Sequence, residues 1–361
     1  IVKRQRSRPI TMMEMTCMGE GYAAQDGTDG HYVTEIVVPF MASGNSSIGQ
    51  PMESGYLPTL SDVRRNAMKI QQQESVLLPG SDNWLYFKLY GNTKRRGELL
   101  TLLYEQMESM VQKRQIRKYF FIRYSDPEPH LRVRVQAIQR DDVPQTFGLF
   151  MEWFDELRQR GLLSNIVIDT YQRETERYGG PELIGKAEEY FFHDSRTVLN
   201  ILRKRQVEKL ELNPDYIGIS FLVMALTAFG LSLDEIENHL NRKAGQNELR
   251  KEYQADRKRH MAAANMENSW AAIRSAVEYP HVYDSLEPLE RELCTYAQAV
   301  DQMDRVGALT NSRLDIVSAV IHMFCNRFVG SNAWERKIYA LARHGVHDLV
   351  GYLRYRPQTA K

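Results

Sequence analysis

An α+β fold is predicted: antiparallel or mixed β-sheet strands early in the chain, followed by a largely α-helical C-terminal half. Three observations predict it. Aromatic-rich and β-branched segments bounded by Gly, Pro, Ser and Asp come before Gly179. From Pro181 onward apolar residues recur almost wholly at helical spacing. Strands therefore come first and helices last, without the regular alternation of βαβ units. The chain has 361 residues, 43% hydrophobic and 26% charged, enough for a core of ordinary size that needs no metal or disulfide staple.

Taken in order, residues 32–40 form a strand-like apolar run that Pro39 stops, and residues 41–60, rich in Gly, Ser and Pro, read as a loop or linker. Residues 84–90 carry Trp84, Tyr86, Phe87 and Tyr90 and end at Gly91, which makes a strand. Residues 98–113 place Leu99, Leu102, Leu103, Met107 and Met110 at helical spacing. Strands follow at 118–124 and 131–135, separated by Ser125-Asp126-Pro127-Glu128-Pro129. Two prolines and an Asp make that segment a turn and the strands a hairpin-like pair. Residues 147–157 read as an amphipathic helix ended by Gly161, and 166–173 as another strand. Helices are predicted at 181–204, 220–228, 232–242, 247–274, 288–303 and 314–328.

The net charge is +1, with 47 basic residues against 46 acidic ones, which argues against an overall polyanion-binding surface and leaves room for a local basic pocket. The cysteines Cys17, Cys294 and Cys325 lie far apart, without zinc spacing, and their odd number fits a reducing compartment. The N-terminal stretch has no continuous apolar run and so is no signal peptide. The longest apolar run, 217–231, is interrupted and too short to span a bilayer, so a cytoplasmic chain is expected. It starts at Ile1 rather than Met, as a processed or truncated piece of something longer would. Gly19-Glu20-Gly21 lacks the strand and helix of a dinucleotide fingerprint. Asn45-Ser46-Ser47 is a sequon without meaning in a cytosolic chain, and Arg203-Lys204-Arg205 reads as a solvated helix face. His344 and His347 can share a helical face, but no acidic or Cys partner completes a metal site; no metal or cofactor is expected.

Three segments carry candidate chemistry. In His130-Leu131-Arg132-Val133-Arg134-Val135, strand geometry projects Arg132 and Arg134 to one side, with His130 beside them. Two adjacent guanidiniums form a fork array suited to carboxylates, although a solvated sheet face gives the same pattern. In residues 171–180, charges including Glu174 and Arg177 crowd a strand end before Gly179-Gly180 turns into a helix opened by Pro181. Local ion pairs at a helix entry would look alike. His322 sits among Ile316, Val317, Val320, Ile321 and Phe324; it is either a satisfied core histidine or a proton-transfer group.

Taken together and in order, five blocks resemble one family: residues 84–90, 120–134, 171–180, Phe192-His193-Asp194-Ser195-Arg196, and His322 to Arg327. They look like the C-terminal elimination domain of LanB-type lanthipeptide (lantibiotic) dehydratases, also found as a thiopeptide-type bacteriocin biosynthesis domain. The likeness covers residues 80–361, and residues 1–60 resemble a remnant of the preceding glutamylation domain plus a linker.

The resemblance implies a lyase. A glutamyl group is first placed on a precursor Ser or Thr; this domain then removes the α-proton and expels glutamate, leaving dehydroalanine or dehydrobutyrine. It implies catalytic roles for Arg134, Arg177 and His322, and substrate binding by Arg132 and Glu174. Whether His322 acts as base or acid stays open, and Glu174 is expected to orient an Arg. Implied partners are the glutamylated precursor peptide, the missing glutamylation domain in cis or in trans, a second copy in a homodimer, and a lanthionine cyclase and transporter complex at the membrane. Direct tRNA binding is not expected of this fragment. Two other readings remain: a thiopeptide-type cyclase that joins dehydroamino acids into a pyridine ring, and a non-catalytic peptide-binding module.

Overall fold

Side-chain alternation on the early strands builds the part of the fold that matters for function. The computed structural model describes residues 75–209, 213–265 and 280–355, without the side chains of 280–285 and 355. They belong to a compact unit, Pro58–Lys361. The strand expected at 32–40, the linker at 41–60 and Cys17 lie outside the described residues.

The first half holds β1 (Val76–Leu77), β2 (Trp84–Gly91), α1 (Arg96–Gln112), β3 (Ile116–Tyr124), β4 (His130–Ala137), α2 (Val143–Gln159), β5 (Leu163–Ile168) and β6 (Tyr171–Gln172). Four strands form an antiparallel sheet in the order β3-β4-β2-β5, and β1 pairs with β6. A βαββαβ chain in that spatial order is the ferredoxin-like, split βαβ arrangement. The fold is α+β as predicted, with α1 and α2 threaded between the strands. The second half holds α3 (Pro181–Val207), α4 (Pro214–Ala228), α5 (Leu233–Lys243), α6 (Arg250–Ala255), α7 (Arg257–Ala264), α8 (Pro280–Arg305), α9 (Arg313–Phe328) and α10 (Asn332–Tyr355).

Leu85, Phe87 and Leu89 on β2 alternate with Trp84, Tyr86 and Lys88, so one sheet face is apolar and the other mixed. The apolar face continues through Leu131, Val133 and Val135 of β4, all buried. Phe147, Phe150 and Phe154 of α2 close around Phe87, with ring centroids 6.4, 5.2 and 5.1 Å away. Burying each such ring contributes roughly 1.5–3 kcal/mol, which fixes the register: a one-residue slip would turn the whole set outward. α4 is buried from Ile217 to Leu226. The long apolar run is thus a core helix, and among the described residues no helix is long and apolar enough to cross a membrane.

β3 is an edge strand, and its outer groups are capped by side chains instead of another strand. Ser195 of α3 accepts from the Phe121 N–H at 3.2 Å, and Arg327 of α9 donates to the Phe121 carbonyl at 2.8 Å. Asn326 bridges both backbone groups of Arg123, accepting at 2.8 Å and donating at 2.9 Å. Fully buried Asp194 and Arg327 pair with one another. Burial pushes the Asp194 carboxyl up to about 6, against the pull of Arg327. Two of the resemblance blocks therefore hold α9, the helix that carries His322, against the sheet.

Four departures from expectation have a visible structural setting, besides the earlier start of α4 at Pro214. The strand predicted over 166–173 is two strands, because the chain leaves the main sheet at Asp169, which pairs with Lys88, and joins β1 as β6. The helix predicted over 247–274 breaks at Asp256, whose φ of −139° and ψ of 44° are not helical; the part beyond 265 lies outside the described residues. Pro288 does not start α8 but sits inside it. Burial of Leu286, Leu289 and Leu293 offsets the backbone hydrogen bond a proline forgoes there. The 24-residue α10 lies beyond the last helix delimited from the sequence.

Candidate active site

On the mixed face of the sheet, β4 presents His130, Arg132 and Arg134, with Tyr90, Lys88 and Tyr86 opposite them on β2. Tyr124, Ile122 and Phe120 stand opposite on β3. Arg134 is 8% exposed. Its guanidinium carbon lies 4.4 Å from the Tyr86 ring centroid, 4.9 Å from Tyr171 and 5.5 Å from Phe120, an aromatic cage. Its Nε is buried without a hydrogen-bond partner. Among the described residues no carboxylate pairs with it. Ring faces compensate a buried cation by roughly 2 kcal/mol at best, far short of what an anion supplies. Arg132 likewise has no carboxylate partner among the described residues; its guanidinium stacks on Tyr124 at 3.3 Å.

Beyond β6, Thr175 and a 3₁₀ turn, Glu176–Tyr178, lead to Gly179 and Gly180, with φ of 96° and 117°. A side chain at Gly179 would bring its Cβ within 2.6 Å of Leu183. That turn lets the chain reverse into α3 and packs against α3 and α9. Arg177 donates to Glu174 at 2.7 Å, with Glu174 well exposed. The segment thus contains the expected local ion pair, and Arg177 also lies within electrostatic reach of Glu335 on α10.

His322 is no core residue. Its side chain is 37% exposed, and its Nδ1 lies 2.7 Å from Glu335 Oε2. A carboxylate only accepts, so Nδ1 carries a proton and donates it; Nε2 has no partner among the described residues and, in the neutral ring, is the bare nitrogen. That is an imidazole oriented as a base by a carboxylate. Glu335 lies thirteen positions past His322, in a helix of its own, and no spacing rule links the two; the Gly330 break before α10 was the one available hint.

Tyr178 joins the two halves. Burial pushes its hydroxyl up to about 12, while Arg177, Arg327 and Arg134 draw it down and Glu174 raises it. Arg134, Tyr178, Arg177, Glu335 and His322 therefore form a run of electrostatic neighbours, with Arg132 two positions from Arg134 on the same face. Sequence reading missed Glu335, Tyr178 and the three cage rings. Two cavities, of about 380 and 450 Å³, lie instead around Arg313, and none of these residues lines them. Among the described residues, no group of three or more metal-ligating side chains is gathered. His344 engages the Glu248 carbonyl at 2.8 Å and His347 the Glu237 carboxylate at 2.6 Å.

The family model described as "Lantibiotic biosynthesis dehydratase C-term" matches residues 84–346, the stretch that contains every residue of this site. The chain belongs to this family. Membership puts the dehydratase C-terminal domain in lanthipeptide biosynthesis. It is 30% identical over 350 residues to the subtilin biosynthesis protein SpaB of Bacillus subtilis, covering 96% of this chain and 32% of that one. It is 30% identical over 173 residues to the nisin biosynthesis protein NisB of Lactococcus lactis subsp. lactis, covering 47% and 16%. The chain thus spans about a third or less of the length of these relatives. The fold is similar to that of a tRNA-dependent lantibiotic dehydratase, MibB from Microbispora sp. 107891, with TM-score 0.68 and 24% identity over 76% of this chain and 29% of that one.

Proposed function

We propose that residues 80–361 act as an elimination unit, a lyase that expels glutamate from glutamylated Ser or Thr of a precursor peptide. The observation that carries this reading is Arg134: a buried guanidinium with no carboxylate partner among the described residues, two positions from a second arginine and in one run of electrostatic neighbours with a carboxylate-oriented imidazole. A desolvated cation without a counter-ion is costly, and such a group marks a site whose anion arrives with the ligand. The leaving glutamate is that anion.

In this reading the Cα–H bond of the glutamylated residue breaks as Nε2 of His322 takes the proton. The electron pair forms the Cα=Cβ bond, the Cβ–O bond breaks, and glutamate departs with its oxygen as a carboxylate. Arg134 and Arg132 hold carboxylate, and Arg177 faces charge that builds during the reaction, where fixed donors in a partly dry site are worth most. Glu174 holds Arg177, and Glu335 holds His322. The reaction balances without a redox partner or cofactor.

The test is incubation with a synthetic peptide carrying one glutamyl-serine. Wild type is expected to yield the dehydroalanine peptide by mass, while Arg177→Ala and His322→Ala leave the glutamyl ester. Wild-type rates in both variants would overturn the reading.

A further inference from the structure

We infer that His130 is a positioning residue for Arg132: as a neutral imidazole it holds the guanidinium flat on Tyr124 with its Nη groups presented to the anionic ligand. The identity of that ligand as a glutamyl group rests on the elimination reading.

The argument is one of donors and acceptors. His130 is 1% exposed, and its Nδ1 lies 2.7 Å from the Glu128 carbonyl oxygen. A carbonyl only accepts, so Nδ1 bears the proton. On the other side of the ring, Arg132 Nε lies 3.2 Å from His130 Nε2. A guanidinium only donates, so Nε2 is the bare acceptor. Both contacts are satisfied together by the neutral Nδ1–H tautomer and by no other form.

The ring is wedged between Tyr90 of β2, 4.6 Å away by centroid, and Tyr124 of β3, 5.5 Å away. Tyr124 also carries the Arg132 guanidinium at 3.3 Å. Arg132 is therefore fixed at Nε and on one face, while neither Nη has a partner among the described residues. Holding a long cationic side chain in its bound geometry before the ligand arrives removes part of the ordering cost of binding.

The charged groups acting on His130 are Arg132 of its own strand, Lys88 of β2 and Arg96 of α1, with the Glu128 carbonyl from the preceding loop. Burial lowers its titration below the ordinary histidine value, the carbonyl opposes, and the three cations lower it further. Protonation at acid pH would remove the acceptor and set a second cation against Arg132.

Steady-state kinetics with the glutamyl-serine peptide test this in wild type, His130→Phe and His130→Gln. Phe keeps the wedge and removes the acceptor; Gln supplies an oxygen in place of Nε2 and does not titrate. His130→Phe should raise KM about tenfold at neutral pH, the worth of one hydrogen bond to a charged group. His130→Gln should restore KM and abolish the rise in KM that wild type shows as pH falls below the ordinary histidine range. Wild-type KM in His130→Phe, or an acid rise retained in His130→Gln, overturns the inference. If wild type releases no glutamate, it is the elimination reading that fails. Imidazole nitrogen spectra of the free protein then decide the latch: an Nδ1–H tautomer supports it, and an Nε2–H tautomer or a protonated ring at neutral pH overturns it.

Discussion

In the proposed reading Arg134 serves a ligand at the expense of the folded state. An ion enclosed by Tyr86, Phe120 and Tyr171, with no acid paired to it among the described residues, gains little by being charged when the site is empty. Arg134→Met should therefore leave stability within about 1 kcal/mol of wild type, or raise it, in urea unfolding, while glutamate release falls at least a hundredfold. A loss above about 3 kcal/mol would show that Arg134 is structural. In the proposed mechanism Glu335 acts at one remove, through His322 Nδ1. Glu335→Gln should lower kcat on the order of a hundredfold with KM little changed, because Gln can stabilise the wrong tautomer. An unchanged single-turnover rate would exclude that role. The arginines and His322 were legible because strand alternation and the imidazole's chemistry mark them directly. Glu335 was not, because its partner lies on a different helix and only packing brings them together.

At the level of elements, the C-terminal turn of α9 is fixed to the sheet through the Asp194–Arg327 pair and the bonds to Phe121 and Arg123. Arg327→Met leaves Asp194 buried and uncompensated, and should cost about 3–5 kcal/mol of stability by urea titration. The pH dependence has a definite sign. Burial holds folded Asp194 near 6, above its unfolded value, so its contribution is present in acid and lost as pH rises through about 6. Without Arg327 the carboxyl rises further, so the deficit of Arg327→Met should grow between acid and neutral pH; a deficit independent of pH would contradict this account of Asp194. Element by element, the sequence pattern located β2, β3, β4, α1, α2 and α9 to within a few residues, because each has one apolar face. It failed at Asp169, Asp256 and Pro288, where a tertiary partner or a buried flank overrides local preference.

At the scale of the molecule, the candidate site is assembled from β4, the turn before α3, α9 and α10, whose contributing residues run from Arg132 to Glu335. The α+β class and the order of strands before helices were readable from composition and periodicity. The ferredoxin-like strand order was not, since pairing between β2 and β5 depends on how α2 covers Phe87 rather than on any local signal. The convergence of distant charges is what the proposed chemistry depends on, and the fate of the Cα proton reports on it most directly. We predict that a glutamyl-serine peptide deuterated at that carbon gives dehydroalanine with a primary isotope effect in single turnover, and that His322→Ala abolishes the reaction. Release of glutamate with serine regenerated, or a rate unaltered by deuterium and by the loss of His322, would contradict the account.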